Sequence, residues 1–141
     1  MSAAYTLETS VDRDARWAHG VVTVTRASAP HDRNTLLTEG VFAVIEFLVA
    51  STDSAHRGRA VVDIQLPEQL PLDALPGAYA FIEAVRGLIQ SHTLETPPES
   101  PATNLIVSTA AQSEARQQTL HYLASPNGGF SRGALYDLRS D

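Results

Sequence analysis

Short β-branched runs alternate with long, apolar-faced helical stretches along most of this chain, and that alternation leaves few folds open. Residues 20–26, 59–64, 104–108 and 134–138 are compact runs rich in Val, Ile and Leu, the composition of strands buried in a sheet. Between them, residues 35–50, 77–94 and 113–124 carry helical periodicity, with Asn34 placed to cap the first helix and Glu114 in the first turn of the third. Turn chemistry separates the elements: residues 29–34, the loop punctuated by Pro67, Pro71 and Pro76, residues 96–101 and the Asn127-Gly128-Gly129 turn. The order β-α-β-α-β-α-β predicts an α/β protein with a parallel sheet of about four strands in chain order. It also predicts right-handed crossovers and helices on both faces. Residues 1–19 are polar and charged, partly ordered or supplying an extra edge strand at 5–8, and residues 20–139 form one domain. A length of 141 residues supports one core and not two.

Composition then removes whole classes of function. The chain has no cysteine, so thiolate chemistry, disulfides and Cys-based zinc sites are excluded. All ten basic residues are arginine, which excludes Schiff-base lysines and phosphate-loop lysines. A formal net charge of −6 lacks the basic footprint that nucleic acid or an anionic membrane requires. The longest apolar stretch, residues 40–50, is interrupted by Glu46 and is too short to span a bilayer. Residues 1–16 have no apolar segment of the signal-peptide kind, so the expected location is cytoplasmic.

Two helices carry more apolar surface than one sheet face needs. In residues 35–50 only Glu39 and Glu46 interrupt the apolar circumference. A surface helix needs a stripe of only about 100°. Residues 77–94 have three stripes: a core stripe (Phe81, Ile82, Val85, Leu88, Ile89), a polar one (Tyr79, Glu83, Arg86, Gln90) and a ridge of small residues, Ala80, Ala84, Gly87 and Ser91. The expected use of the surplus is an interface between subunits, formed by Val41, Phe42, Ile45 and Phe47 with Ala80, Ala84, Gly87 and Ser91. The alternative is that both faces are buried within the monomer.

Several segments, in order, resemble the C-terminal half of a short-chain dehydrogenase/reductase. Gly40-Val41-Phe42 is similar to the end of that family's Asn-x-x-Gly-x-Phe helix opening, whose asparagine position is Leu37 here, and Gly58-Arg59-Ala60-Val61-Val62 to the entry of its central strand. Residues 78–95 resemble its catalytic-tyrosine helix, and Tyr122 to Ser125 with Gly133 to Asp137 its closing helix and last strand. The resemblance implies a truncated Rossmann-like three-layer fold. In the family the two long helices build a four-helix bundle between subunits. The departures imply lost catalysis. No Thr-Gly-x-x-x-Gly-x-Gly turn is present to hold a pyrophosphate. The catalytic serine position falls at Gln65 or Leu66. The Tyr-x-x-x-Lys pair reads Tyr79-Ala80-Phe81-Ile82-Glu83, an acid where the family's lysine activates the tyrosine and holds the ribose. Tyr79 is the one residual family residue, and a packing tyrosine is the plainer reading. No catalytic assignment, cofactor or metal is expected.

Other motifs yield less. Gly129-Phe130-Ser131-Arg132-Gly133 matches Gly-x-Ser-x-Gly, but a helix precedes it and a strand follows, the reverse of a nucleophile elbow. The five histidines, His19, His31, His56, His92 and His121, show no ligand spacing. His31-Asp32 at a strand end reads as a solvated loop pair. Asp63 on a central strand must be paired, with an arginine such as Arg59 or with backbone donors, or else belong to a pocket. The expected function is a non-catalytic, short-chain-dehydrogenase-like subunit that works by forming a homo-oligomer or by associating with a complete dehydrogenase. The alternative is a small enzyme or ligand-binding protein. It would use the crevice at the carboxyl ends of the strands, with Gln65, Tyr79, Ser108 and Thr109 as its groups.

Overall fold

In the computed structural model, residues 4–13, 17–27, 36–51, 59–68, 75–96 and 102–139 are described. The strands are β1 (Ala4–Arg13), β2 (Trp17–Ala27), β3 (Arg59–Leu66), β4 (Thr103–Thr109) and β5 (Leu135–Asp137). The helices are α1 (Val41–Ser51), α2 (Leu75–Glu95) and α3 (Ser113–Ala124). They build one sheet in the order β1-β2-β3-β4-β5. Pairing from β2 to β5 is parallel throughout, and β1 lies antiparallel on β2. The result is an α/β fold with four parallel strands, consistent with a truncated Rossmann-like sheet.

Alternation along β3 divides its side chains between two layers. Ala60, Val62, Ile64 and Leu66 join the larger core, which α1 and α2 cover with Val44, Phe47, Leu48, Phe81, Ile82, Val85 and Ile89. Val61 faces the other way, into a smaller cluster with Ile106 and Leu123 beneath α3. The core stripe expected on α2 is the one that packs on the sheet.

This arrangement corrects one expectation. Strands laid out in chain order cannot all be joined by right-handed crossovers if the helices occupy both faces. The connections through α1 and α2 share a face, whereas α3 lies on the opposite face while the sheet advances in the same direction. The β4-α3-β5 crossover therefore has the opposite hand to the first two. Parallel crossovers are right-handed in about 98% of cases. The reversal falls at the edge, where β5 is only 3 residues long.

Other elements differ in extent. The N-terminal edge strand is 10 residues rather than four and pairs with β2 along its whole length. It covers the edge that would otherwise stand open to other chains. The first helix begins as a π turn over Leu36–Gly40, and Asn34, its expected cap, lies outside the described residues. Gly40 closes that turn where α1 crosses α2. A Cβ there would stand 2.7 Å from the Phe81 ring, so any larger residue has to push that buried ring aside.

Candidate functional site

Adjacent strands β3 and β4 send their following helices to opposite faces. The carboxyl ends of these two strands are the usual ligand position in open α/β sheets. Here the chain's own side chains bridge them. The Glu68 carboxylate, just beyond β3, accepts the Ala111 backbone N–H and lies 3.3 Å from the Thr109 hydroxyl. Gln112 Oε1 accepts the Thr109 N–H at 2.9 Å and the hydroxyl at 2.8 Å. Thr109 has one hydroxyl proton, and the shorter contact takes it to Gln112. A carboxylate thus already occupies the turn leading into α3, where helix N–H groups favour negative charge.

Beneath this turn, on the α3 face, lies a polar cluster that joins β2, β3 and α3. Asp63 on β3 is fully buried, and its Oδ2 accepts from His19 Nε2 on β2 at 2.8 Å. The same oxygen accepts from Arg116 Nε on α3 at 2.7 Å, and Arg116 Nη2 lies 2.7 Å away. Oriented by this network, the Gln65 amide oxygen accepts from Arg116 Nη2 at 2.8 Å and Nε at 3.0 Å. Asp63 Oδ1 and the Ser108 hydroxyl are buried without a hydrogen-bond partner. Ser108 stands across from Gln65 in the β3–β4 register.

Arg116, not Arg59, is thus the arginine that meets Asp63. Arg59 lies at the other end of α3, where its Nη1 donates to the carbonyls of Leu123 at 2.7 Å and Ser125 at 2.6 Å. It satisfies helix-terminal acceptors that have no partner within the helix.

The family-position residues go separate ways. Gln65 lies on β3 rather than in a loop and serves the arginine. Leu66 is core. Tyr79 is half-exposed, with the Arg139 guanidinium 5.8 Å from its ring centroid. The Asp137 carboxylate holds that guanidinium at 2.7 Å and raises the arginine's pKa, while the same hydrogen bond lowers that of Asp137. Glu83 is exposed and 3.8 Å from Arg86, one turn along α2. The tyrosine therefore packs under an arginine, and the acid pairs along its own helix.

Ser131 is likewise structural. Its hydroxyl reaches Asn104 Oδ1 at 3.0 Å and Tyr136 Oη at 2.6 Å, tying the turn before β5 to the start of β4. His92 on α2 is half-buried, and desolvation lowers its pKa, aided by Arg132 and opposed by Glu95. His31, Asp32 and His56 lie outside the described residues. Among the described residues no group of three or more His, Asp or Glu is placed to hold a metal ion. No helix there is long and apolar enough to cross a membrane.

The outer surface of α1 and α2 is the other candidate. Phe42 is 60% exposed, Ile45 39% and Val49 65%, so α1 keeps an apolar stripe facing out of the fold. The reading in which both faces are buried within the monomer fails here. Phe47 is only 6% exposed and packs in the core over Gly20, and Val41 packs at the core's margin. Both therefore belong to the inward side, and Val49, which is not among the expected interface residues, belongs to the outward one. On α2, Ala80, Gly87 and Ser91 are exposed and Ala84 half-buried, with open space around Gly87. Tyr79 meets Arg139 from the β5 end, so at helical spacing the small-residue ridge occupies the opposite flank, toward α1.

Fold and site together define a three-layer α/β protein whose β3 and β4 ends are bridged by its own side chains and whose outer helix surface is apolar. No protein-family model matches this sequence, and neither a curated protein nor a solved structure is significantly similar to it.

Proposed function

We propose that this protein is a non-catalytic, short-chain-dehydrogenase-like subunit that works by association through the outer face of α1 and α2. The observation that carries the reading is the row Phe42, Ile45 and Val49, turned outward beside a helix flank kept small. Burying side chains of this size contributes about 1.5–3 kcal/mol each. Small residues on the neighbouring helix let another backbone approach closely. The groups at the family's catalytic positions support the same reading, because each is engaged elsewhere. Gln65 serves Arg116, Tyr79 packs under Arg139, and Glu83 lies beside Arg86.

The test is assembly. Binding of the full chain to any partner, itself included, is measured by sedimentation for the wild type and for Val49→Glu. The substitution lies on the surface, so loss of assembly with an unchanged far-UV circular dichroism spectrum is expected. Undiminished assembly by Val49→Glu refutes the interface. Millimolar NADH should leave the unfolding midpoint of the wild type unmoved, whereas a rise of several degrees would mark a cofactor site and refute the non-catalytic reading.

A further inference from the structure

The α1–α2 face carries a charge pattern as well as an apolar row. Glu39 and Glu46 on the α1 segment and Glu83 on α2 are all exposed. Among the described residues of that face the cation is Arg86, which already lies 3.8 Å from Glu83. The patch is thus apolar at its centre and acidic at its margin, on a chain of net charge −6 that has no lysine.

A two-fold dimer sets the same patch against itself. Glu39, Glu46 and Glu83 of one copy would meet the same three acids of the other, and on each side Arg86 offsets Glu83, so Glu39 and Glu46 remain as the acidic excess. Like charges brought together at the rim of an interface select against a partner, and opposite charges select for it. Resting on the association reading above, we infer that the occupant of this face is a different chain, presenting an apolar helix surface edged with basic side chains. Bulk sits on α1 and room on α2, so the matching surface places its bulky apolar side chains over Ala80, Ala84 and Gly87. Its cations lie outside that row, opposite the glutamates.

Two synthetic amphipathic helical peptides with the same Leu/Ala stripe serve as probes, one edged with arginine and one with glutamate. Their binding to the full-length protein is read by fluorescence anisotropy. The arginine-edged peptide is expected to bind at least about tenfold more tightly at low salt, and 1 M salt, with a screening length of about 3 Å, should remove most of that preference. The triple variant Glu39→Gln, Glu46→Gln, Glu83→Gln should also lose the preference while keeping the wild-type unfolding midpoint. Val49→Glu should weaken the apolar contact for both peptides. Equal binding of the two peptides, or a wild-type self-dimer dissolved by Val49→Glu, overturns the basic partner and leaves association standing. A monomeric protein that binds neither peptide overturns both.

Discussion

Replacing Arg116 with methionine tests how far the buried cluster holds α3 on the sheet. Methionine keeps much of the apolar stem and removes only the guanidinium. Asp63 is fully buried, and its Oδ2 would lose the contacts from Nε and Nη2, keeping His19 alone. Its Oδ1 has no partner to begin with, so nothing compensates. Removing one partner of a buried ion pair costs about 3–5 kcal/mol. A domain of this size is stable by about 5–15 kcal/mol in total.

Urea unfolding followed by far-UV circular dichroism reads that cost. With a slope of about 2 kcal/mol per molar, a loss near 4 kcal/mol moves the midpoint down by about 2 M. The companion variant, Asp63→Leu with Arg116→Met, removes both charges and should recover part of the loss, because apolar replacement of a whole buried pair is often close to neutral. It also strands His19 and Gln65, so recovery is incomplete. A loss below about 1 kcal/mol for Arg116→Met refutes the reasoning, since it would place the pair in the range of solvent-exposed ion pairs.

Two further outcomes come from the same geometry. His92 has a folded-state pKa below its ordinary value, chiefly through burial, so the unfolded chain binds the proton more readily. Its contribution is present above about pH 6.5 and is lost as pH falls through the lowered folded value; His92→Gln should flatten that part of a stability-against-pH curve, and an unchanged curve rejects the assignment. Gly128 sits where a Cβ would stand 2.2 Å from the Tyr122 carbonyl oxygen and 2.6 Å from Leu123 Cα. Gly128→Ala therefore forces the turn after α3 open and should lower the thermal midpoint markedly, whereas a shift within a degree or two would mean the turn closes another way.

The strand–helix order was legible because β-branched runs and helical periodicity are local signals. The bounds of α3 match the expected residues 113–124, and the buried stripe on α2 is the one its spacing predicts. Pairings across the sheet were not legible. His19 and Asp63 are 44 positions apart and meet only through the β2–β3 register, and Arg116 reaches them only because α3 crosses to the other face. The hand of the third crossover leaves no local trace for the same reason. Phe47 was misplaced by wheel counting because a nearly all-apolar helix does not announce which side meets the sheet. Gly20 settles it by leaving room for the ring.

The edge of β2 bears on what can join this sheet. On the function proposed above, the counterpart is a complete short-chain dehydrogenase, whose sheet continues beyond the strand equivalent to β2 into a dinucleotide-binding half. Here that edge is taken by β1, from Ala4 opposite Ala27 to Arg13 opposite Ala18. A complementing half supplied by another chain would have to displace ten paired residues before adding a strand of its own. Association through the α1–α2 face requires no such exchange. Removing residues 1–13 separates the two routes. The shortened chain exposes the β2 edge and should aggregate or pair edge to edge, which light scattering behind a sizing column would register. A shortened chain that remains monomeric and as stable as the full chain would show β1 to be dispensable, and strand addition at β2 would again be an open route to a partner.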